Sequence, residues 1–307
     1  MPSMPASVAA RPTGTRYCAS IGSFDLPMKE SGPGAPFLRC LFGLALAGAP
    51  VRGAEVLPDK SGFTFGNPTP AALLRDLSTD RPDVTESPFT VDAGHVQLEL
   101  DLVNYSRQRL DGVRTSEWGL APFNLRLGLR NNLEAGIFVA PFVRRSETAP
   151  KAISGIGDVT LRGKYNFWGN DSGETALGLI VDLTLPVAAS GLGSDKVEGS
   201  LTLPVQLELG GGWGFGAMTR AEFRQREAGG YKGVWSNTAT LGRDLGKDVS
   251  GYAELTSTAG DGAHVATWDV GLAWRLNANT QLDLGANIGL SRAADDLLVF
   301  TGVSRRF

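Results

Sequence analysis

The feature that most constrains the fold of this chain is a two-residue alternation of apolar and polar side chains. It begins near His95 and continues to the C-terminus. In VQLELDL, residues 96–102, valine and leucine alternate with glutamine, glutamate and aspartate. Residues i and i+2 lie on one face of a β-strand, whereas a helix brings i, i+3 and i+4 together. The alternation therefore predicts strands and not helices.

The alternating segments have the length that a membrane-crossing strand needs. Segments of roughly ten residues or more, separated by turn residues, are typical of transmembrane β-barrels, whereas soluble sandwiches have shorter strands. We expect an all-β fold, a closed antiparallel transmembrane β-barrel of about 12 strands. The predicted strands are 94–107, 115–130, 132–144, 154–168, 174–187, 200–211, 213–225, 233–245, 248–259, 263–276, 279–291 and 296–307.

The connections between these strands alternate in length. RNN, GGG, LGK and LNAN are tight turns, and longer polar links such as RRSETAPKAIS and VAASGLGSDKVEG lie between them. Short periplasmic turns and longer extracellular loops give this pattern when the strand number is even. Unpaired backbone groups in hydrocarbon cost several kcal/mol each, so the sheet has to close. We therefore expect both ends of the barrel on the periplasmic side.

Aromatic residues are expected where lipid meets water. Those near predicted strand ends are Trp118, Tyr165, Phe167, Trp213, Phe215, Trp235, Trp268 and Trp274; in a soluble sandwich they would be core residues instead. The last residue, Phe307, is in phase with the apolar face of the last strand. This resembles the C-terminal signal that the outer-membrane assembly machinery recognises, although Arg305 stands where an apolar residue is usual.

Composition excludes several classes of protein. The net charge is -3 with no basic stripe, so a nucleic-acid partner has no electrostatic basis. No apolar run reaches the roughly 18 residues of a membrane-spanning helix. Cys18 and Cys40 lie outside the predicted fold, and the two histidines, His95 and His264, are far apart in sequence. We therefore expect neither a disulfide framework nor a metal site, and no cofactor.

The N-terminal region suits export. The apolar run LFGLALAGA follows Lys29 and Arg39, as the core of a signal peptide follows its basic region. We assign residues 1–54 to a leader and signal peptide, with Met28 as an alternative start, residues 55–93 to an N-terminal extended segment, and residues 94–307 to the barrel. A cytoplasmic tail with a chance apolar patch is the alternative.

The polar side of the alternation predicts the contents of the lumen. The candidates for selectivity are Glu99, Asp101, Arg126, Arg162, Lys164, Arg220, Glu222 and Arg224, and the same phase includes Arg130, Asp182, Glu208, Asp269, Arg275 and Asp283. Charged rings set selectivity in pores, which favours Arg126, Arg162, Arg220 and Arg224. A salt network without a transport role is the alternative, because unpaired charges in a narrow interior are costly.

Catalytic patterns are weak in this sequence. A lipid hydrolase of the outer membrane needs a serine within hydrogen-bond reach of a histidine. No serine stands two places after His264 or His95, so neither forms such a pair within one strand. Pairing across strands stays open, and the hydrolase remains the third hypothesis.

The segment before the barrel combines a short helix with an extended stretch. Thr69 and Pro70 are suited to begin a helix, and AALLRDL continues it for about two turns to Ser78. Pro82 and Pro88 then favour extended backbone in TDRPDVTESPF, because proline removes a donor and restricts the preceding residue.

The run NPTP followed by TDRPDVTESPFTVDAGHVQLELDLVNY resembles the N-terminal signature of a family of bacterial outer-membrane transporters named for a meta-pathway of phenol degradation. The resemblance implies an outer-membrane barrel, distantly similar to importers of fatty acids and toluene-like hydrocarbons, and an aromatic substrate. In those importers an N-terminal segment plugs the barrel. By this resemblance we predict that Asp80, Arg81, Asp83 and Glu86 enter or cap the periplasmic mouth; a solvated tether is the alternative.

The function expected from the sequence is passive uptake of small, hydrophobic or aromatic molecules across the bacterial outer membrane. The second hypothesis is a structural or partner-anchoring barrel without transport. The expected partners are outer-membrane lipids, the assembly machinery and a small hydrophobic solute, and the protein is not expected to be an enzyme.

Overall fold

The computed structural model describes residues 58–148, 152–226, 229–260 and 263–307. The predicted leader, residues 1–54 with the alternative start at Met28, lies outside the described residues. The described part contains fifteen strand segments. They are β1 (Val96–Leu110), β2 (Val113–Leu120), β3 (Phe123–Arg130), β4 (Leu133–Val139), β5 (Phe142–Glu147), β6 (Ile153–Gly155), β7 (Val159–Trp168), β8 (Thr175–Leu185), β9 (Glu198–Gly210), β10 (Trp213–Gln225), β11 (Tyr231–Asp244), β12 (Val249–Gly260), β13 (Ala263–Asn277), β14 (Thr280–Gly289) and β15 (Leu297–Arg306).

These segments form one antiparallel sheet that closes into a barrel. Neighbouring segments pair along the ring, and the last strand, β15, pairs with β1, from Gln97 opposite Arg306 to Arg107 opposite Leu297. Three pairs of segments, β2 with β3, β4 with β5 and β6 with β7, each form one interrupted wall strand, because β1 pairs with both β2 and β3. The described residues thus make a closed barrel of twelve wall strands, which confirms the predicted fold class.

The interruptions lie side by side in the wall. Ala121, with φ of 56°, and Pro122 separate β2 from β3, and Ala140 and Pro141 separate β4 from β5. Proline has no N–H, so a break at proline leaves one donor fewer to satisfy in hydrocarbon. The remaining backbone groups find partners across the break: Asp101 N–H donates to the carbonyl of Pro122 at 2.8 Å. The wall therefore stays hydrogen bonded where its strands are broken.

The connections follow the predicted pattern only in part. The end of the barrel that holds the start of β1 and the end of β15 has the tight turns after β3, β9, β11 and β13, as expected. It also has a six-residue link, 169–174, and the opposite end has the two-residue turn of Asp111 and Gly112. Connection length therefore follows the local hairpin geometry as well as the side of the membrane.

The outer surface is apolar and carries the aromatic residues. Trp118, Trp235, Trp268 and Trp274 are exposed, as are many leucines in the same phase, such as Leu255 at 58%. Their strand neighbours on the opposite phase are buried and mostly polar. An apolar exterior around a polar interior is the arrangement of a barrel in lipid and the inverse of a soluble one. No helix among the described residues is long and apolar enough to cross a bilayer.

The short helix predicted after Thr69 is wrong. A single 3-10 turn, Ala71–Leu73, is present, and Leu74 is already extended. On either side of this turn the backbone bonds to other parts of the protein: Thr69 N–H donates to the Ala93 carbonyl and Arg75 N–H to the Asp92 carboxylate. These tertiary hydrogen bonds outweigh the local helix propensity, because a helix of two turns has little stability of its own.

Two loops fold inward at the end opposite the chain termini. Asp158 accepts hydrogen bonds from the N–H groups of Val187, Ala188 and Ser194. This holds the loop between β8 and β9 so that Leu192 is buried against Ala140 and Val143. The loop between β14 and β15 is held by Gln108, whose amide donates to the carbonyls of residues 293 and 294. The two loops therefore narrow this end of the barrel.

Candidate functional site

The interior of the barrel is occupied by residues 77–92, which we call the ribbon. The ribbon has no helix or strand, as its two prolines predicted. Val84, Thr85, Glu86 and Ser87 are each at most 8% exposed. Their partners are inward-facing residues of the wall, so this burial is inside the lumen and not under a surface loop.

Asp80 binds the wall formed by β1, β3 and β7. Its carboxylate accepts a hydrogen bond from Lys164 Nζ at 2.5 Å and lies 3.4 Å from Arg126 Nη1. Its N–H donates to the carboxylate of Glu99. Burial alone would raise the pKa of Asp80, but the surrounding cationic charges outweigh burial and lower it to about 2. Asp80 is therefore ionised inside the lumen.

Arg81 joins the ribbon to both strands that close the barrel. Its guanidinium pairs with Asp101 on β1 and donates to both carboxylate oxygens of Asp283 on β14, at 2.6 and 3.2 Å. Its positive charge also lies 5.5 Å from the ring centroid of Phe300 on β15. One ribbon residue thus contacts three strands next to the closure.

Glu86 lies between the two sides of the barrel. Both carboxylate oxygens accept hydrogen bonds from Arg162 on β7, each at 2.8 Å, and Arg220 on β10 donates a third, also at 2.8 Å. Arg162 donates in addition to Asp182 on β8. Charge-assisted bidentate pairs of this kind fix position as well as adding energy. Glu86 therefore determines where the ribbon crosses the lumen.

The stretch from Asp83 to Thr85 faces β11 and β12. The carboxylate of Glu254 accepts the N–H groups of Val84 and Thr85, both at 2.8 Å, and the Thr85 hydroxyl lies 2.5 Å from that of Thr238. Among the described residues, no lysine or arginine forms an ion pair with Asp83. Burial, and next the charge of Glu254, raise the pKa of Asp83 well above its usual value. The pKa values of Asp80 and Asp83 are thus shifted in opposite directions.

The backbone of the ribbon is satisfied by wall side chains. The carbonyl of Ser87 accepts from Lys164, that of Pro88 from Asn166 and that of Phe89 from Arg126. Buried backbone groups outside regular structure need such partners. The wall therefore supplies for the ribbon the hydrogen bonds that a neighbouring strand would supply in a sheet.

Glycines in the inward phase make room for the ribbon. A Cβ on Gly128 would overlap the carbonyl oxygen of Asp92, and one on Gly178 would lie 3.0 Å from that of Pro88. A Cβ on Gly302 would overlap the Arg81 guanidinium. Glycine in a strand often marks such a close approach of another backbone. The lumen is therefore shaped to the ribbon by omitted side chains as well as by charge.

At the mouth, the ribbon ends against the C-terminus of the chain. Asp92 is 1% exposed and is near Lys60, Arg75 and Arg306, at 3.7, 3.1 and 3.3 Å. The imidazole of His95 lies 2.9 Å from the Phe307 carbonyl and 2.8 Å from that of Thr69. His95 therefore links the start of β1 to the last residue of the chain. Each of its ring nitrogens has a backbone carbonyl as its neighbour.

The predicted lumen residues are all on the inward phase, but they do not line an open pore. Glu99, Arg126, Arg162, Lys164 and Arg220 contact the ribbon, as does Asp101 through Arg81. Glu222 and Arg224 of that set pair with each other at 2.5 Å, and Glu99 pairs with Arg126 at 2.7 Å. Arg130 and Glu208 of the wider set are exposed at the mouth.

Sequence reasoning missed several wall residues that hold the ribbon. Glu134 on β4 accepts the Val91 N–H at 2.7 Å and pairs with Arg126, and Glu254 binds Val84 and Thr85. Both are in the inward phase of their strands, so the alternation contained the signal. The inward glycines were also overlooked, although their phase distinguishes them from glycines of the lipid face.

Cavities lie on two sides of the ribbon. One of about 30 Å³ lies toward β1, β3 and β7, between Asp80, Glu99 and Arg162. It has room for little more than a water molecule. The other, about 330 Å³, lies between residues 77–87 and the mouth ends of β9 to β13. We call the second one the vestibule; it reaches the volume at which small-molecule sites begin, roughly 300 Å³.

Cross-strand pairing does bring a serine to a histidine. The hydroxyl of Ser257 on β12 lies 3.0 Å from Nε2 of His264 on β13, on the lipid-facing side. Within one strand neither histidine has the serine partner, as the sequence predicted, and the pairing across strands that the sequence left open is present for His264. Among the described residues, no hydrogen bond orients Nδ1 of His264, which a nucleophile–base pair requires. In the described ranges no group of acidic, histidine or cysteine side chains is arranged to hold a metal ion.

Comparison with known proteins gives a family and a set of distant folds. A family model described as "Putative MetA-pathway of phenol degradation" matches residues 79–307. No curated protein sequence matches the chain.

Among solved structures, the NanC porin is 10% identical over 67% of this chain and 98% of that chain, with a TM-score of 0.47. The CymD monoaromatic hydrocarbon channel is 9% identical over 69% and 87%, with a TM-score of 0.42. An anion-selective porin from Comamonas acidovorans is 11% identical over 69% and 98%, with a TM-score of 0.37. At these values the likenesses carry no argument about function.

Proposed function

The chain belongs to the family described as "Putative MetA-pathway of phenol degradation", and on that premise we propose that it is an outer-membrane channel for passive uptake of small hydrophobic or aromatic compounds. The ribbon is the plug of this channel. The observation that carries the proposal is a closed barrel with an apolar exterior whose lumen is filled by a separate segment of the same chain.

The location follows from the physical character of the barrel. An outward apolar surface with aromatic residues suits lipid, and a closed antiparallel sheet is the β-structure that can span it. The family name supports an aromatic solute. Export through residues 1–54, insertion by the assembly machinery and contact with outer-membrane lipids complete the proposal.

The plug has a physical rationale. A lumen filled by wall side chains alone would have to break strand pairing to open, whereas a ribbon held by hydrogen bonds and ion pairs can shift while the barrel stays closed. The ion pairs of Asp80, Arg81 and Glu86 hold the ribbon in the resting position. The division into leader, plug segment and barrel is part of this proposal.

The test is conductance of single channels in planar bilayers, with the full chain and with a chain lacking residues 58–91. We expect low conductance from the full chain and a large increase after the deletion. Equal conductance would contradict the plug. Uptake of a phenolic solute into vesicles with lipopolysaccharide in the outer leaflet, measured above the rate of protein-free vesicles, tests transport itself.

The second hypothesis, a barrel without transport, is favoured by the density of the ion pairs around Glu86 and Asp80. It predicts no uptake above protein-free vesicles by the full chain. We propose no enzymatic role, because the Ser257–His264 pair has no orienting group in the described residues. Replacing His264 by alanine is expected to leave uptake unchanged; loss of a lipid-hydrolysing activity on this replacement would contradict the non-enzymatic proposal.

A further inference from the structure

We propose that the vestibule is a binding site for an uncharged, hydroxylated single-ring solute, and that Glu208 and Asp244 exclude the anionic forms of such rings. The inference rests on the proposed function, which it deepens by assigning a site and a charge preference. It comes from the shape, the hydrogen-bonding groups and the charge of the vestibule, considered in turn.

The wall of the vestibule is flat because it is made of glycine. Gly214 on β10 and Gly242 on β11 are register partners, and Gly242 is also opposite Tyr252 on β12, whose hydroxyl lies 3.3 Å from the Pro82 carbonyl. A Cβ on Gly242 would meet only backbone oxygens, at 3.9 Å, and one on Gly214 only the carboxylate of Glu208, at 4.0 Å. Unlike Gly128 and Gly178, these inward glycines have no ribbon atom against them, so they leave a free planar surface.

The volume suits one ring. About 330 Å³ is at the lower end of the range of small-molecule sites, roughly 300–1,000 Å³. A planar aromatic ring can lie on the exposed peptide groups of Gly214 and Gly242 with the ribbon on its other side. The same space would be taken up by a branched side chain at either position.

Polar groups of the wall and of the ribbon face the vestibule together. Thr240 lines it and is 8% exposed, and its buried Oγ1 lies beside the carboxyl group of Asp83. A hydroxyl both donates and accepts hydrogen bonds, so a hydroxylated solute can interact with both groups.

The charge at the opening is negative. Glu208 and Asp244 line the vestibule, and neither has an ion-pair partner among the described residues. The Arg81 guanidinium is taken by Asp101 and Asp283, and that of Arg243 lies over the Trp213 ring at 4.6 Å. Arg243 keeps its positive charge over the ring, but the two acids outnumber this one cation, so the opening favours a neutral ring over a carboxylate or phenolate.

The test uses two probes that share a ring and a reporter. 4-Fluorophenol is uncharged at pH 7, since a phenol ionises near pH ~10, whereas 4-fluorobenzoate is an anion, since carboxylic acids ionise near ~4. Binding of each to the full chain in detergent is followed by ¹⁹F NMR. We expect 4-fluorophenol to bind, and 4-fluorobenzoate to bind at least about tenfold more weakly.

Two variants locate the site. Gly242→Val fills the vestibule and is expected to weaken 4-fluorophenol binding by about tenfold or more. Gly163→Val is the matched control, because Gly163 is a strand glycine on the lipid face with nothing within 4 Å of its Cβ position. Equal binding to the Gly242 and Gly163 variants would overturn the site.

A charge variant tests the exclusion of anions. In Glu208→Gln with Asp244→Asn we expect the preference for 4-fluorophenol to shrink to about threefold or less, whereas Glu147→Gln, which changes an exposed acid at the other end of the barrel, keeps it. An unchanged preference in the double variant would overturn the role of the two acids.

The outcome is separable from that of the proposed function. Suppose that the wild type takes up 4-fluorophenol and that Gly242→Val changes neither this uptake nor the binding. This result overturns the vestibule site and leaves the channel standing. Suppose instead that the wild type gives no protein-dependent uptake but binds 4-fluorophenol, and that Gly242→Val abolishes this binding. This result supports the site and contradicts the channel.

Discussion

The two halves of the barrel wall meet the ribbon differently. Toward β1–β8 three of the five wall strands are interrupted, Asp80 and Glu86 are ion paired, and a cavity of about 30 Å³ lies beside the ribbon. Toward β9–β13 the strands run uninterrupted for 12 to 15 residues, and about 330 Å³ stays open. The first half holds the ribbon mainly by ion pairs. The second half also binds the ribbon, through Arg220 and Glu254, but leaves space beside it.

The strongest test of this contrast removes the attachment on the first side. Arg162→Ala leaves Glu86 and Asp182 buried with one cation fewer, which we expect to cost about 3–5 kcal/mol and to raise single-channel conductance. Arg224→Ala is the control, since Arg224 pairs with Glu222 in the lumen. Equal conductance and equal thermal stability of the two variants would show that the ion pairs do not hold the plug.

A smaller effect is expected from steric displacement on the same side. Gly128→Ala puts a methyl group against the Asp92 carbonyl, at a cost of about 1–3 kcal/mol. Trypsin should then cut the chain after Arg75, just before the ribbon, where the side chain is 11% exposed in the folded barrel; the bond after Arg81 is not a trypsin site because Pro82 follows. Gly163→Ala, on the lipid face, should stay resistant; cleavage of both variants at one rate would contradict the close packing.

The second side can be locked instead of loosened. Thr85 and Thr238 have hydroxyls 2.5 Å apart, so cysteines at both positions, in a chain without Cys18 and Cys40, should cross-link the ribbon to β11. If a solute leaves the vestibule by moving the ribbon, oxidation lowers its uptake several-fold and a reductant restores it. The control pair, Thr256 and Thr267, is 2.7 Å apart within the wall. Uptake unaffected by the first cross-link would place the path elsewhere.

The smallest expected effect concerns two acids three residues apart. The pKa of Asp80 is lowered to about 2, so its contribution to stability is present above the ordinary pKa and lost as the pH falls toward 2. The pKa of Asp83 is raised, so its contribution is present at low pH and lost as the pH rises. Asp80→Asn should therefore destabilise the barrel at pH 7, and Asp83→Asn should stabilise it at pH 8 but not at pH 4, as measured by urea unfolding. Equal shifts at all pH values would contradict the assignment.

The sequence predicted the barrel well because each inward residue is followed by an outward one, and this local alternation determines both faces. The strand phase placed Arg126 and Arg162 inside correctly. It could not show that they bind Asp80 and Glu86, because the position of the ribbon depends on contacts across about 80 to 130 residues, such as Glu86 with Arg220. The helix after Thr69 failed for the same reason, since distant backbone partners outweighed local propensity.

The vestibule could not be predicted from the sequence, for a different reason. Gly214 and Gly242 have the same phase as Gly128 and Gly178, but only the path of the ribbon decides which glycines are covered. The positions of the inward-facing glycines predict only where the wall lacks side chains on its inner face. It does not say whether a backbone or a solute fills the space.

The contacts of Arg81 and Asp92 with the last two strands set an order of assembly. The ribbon is synthesised before the barrel, yet Asp283 and Arg306 arrive only with β14 and β15. The same event that joins β15 to β1 therefore completes the docking site of the ribbon. The ribbon therefore cannot make its full set of contacts until the wall has closed.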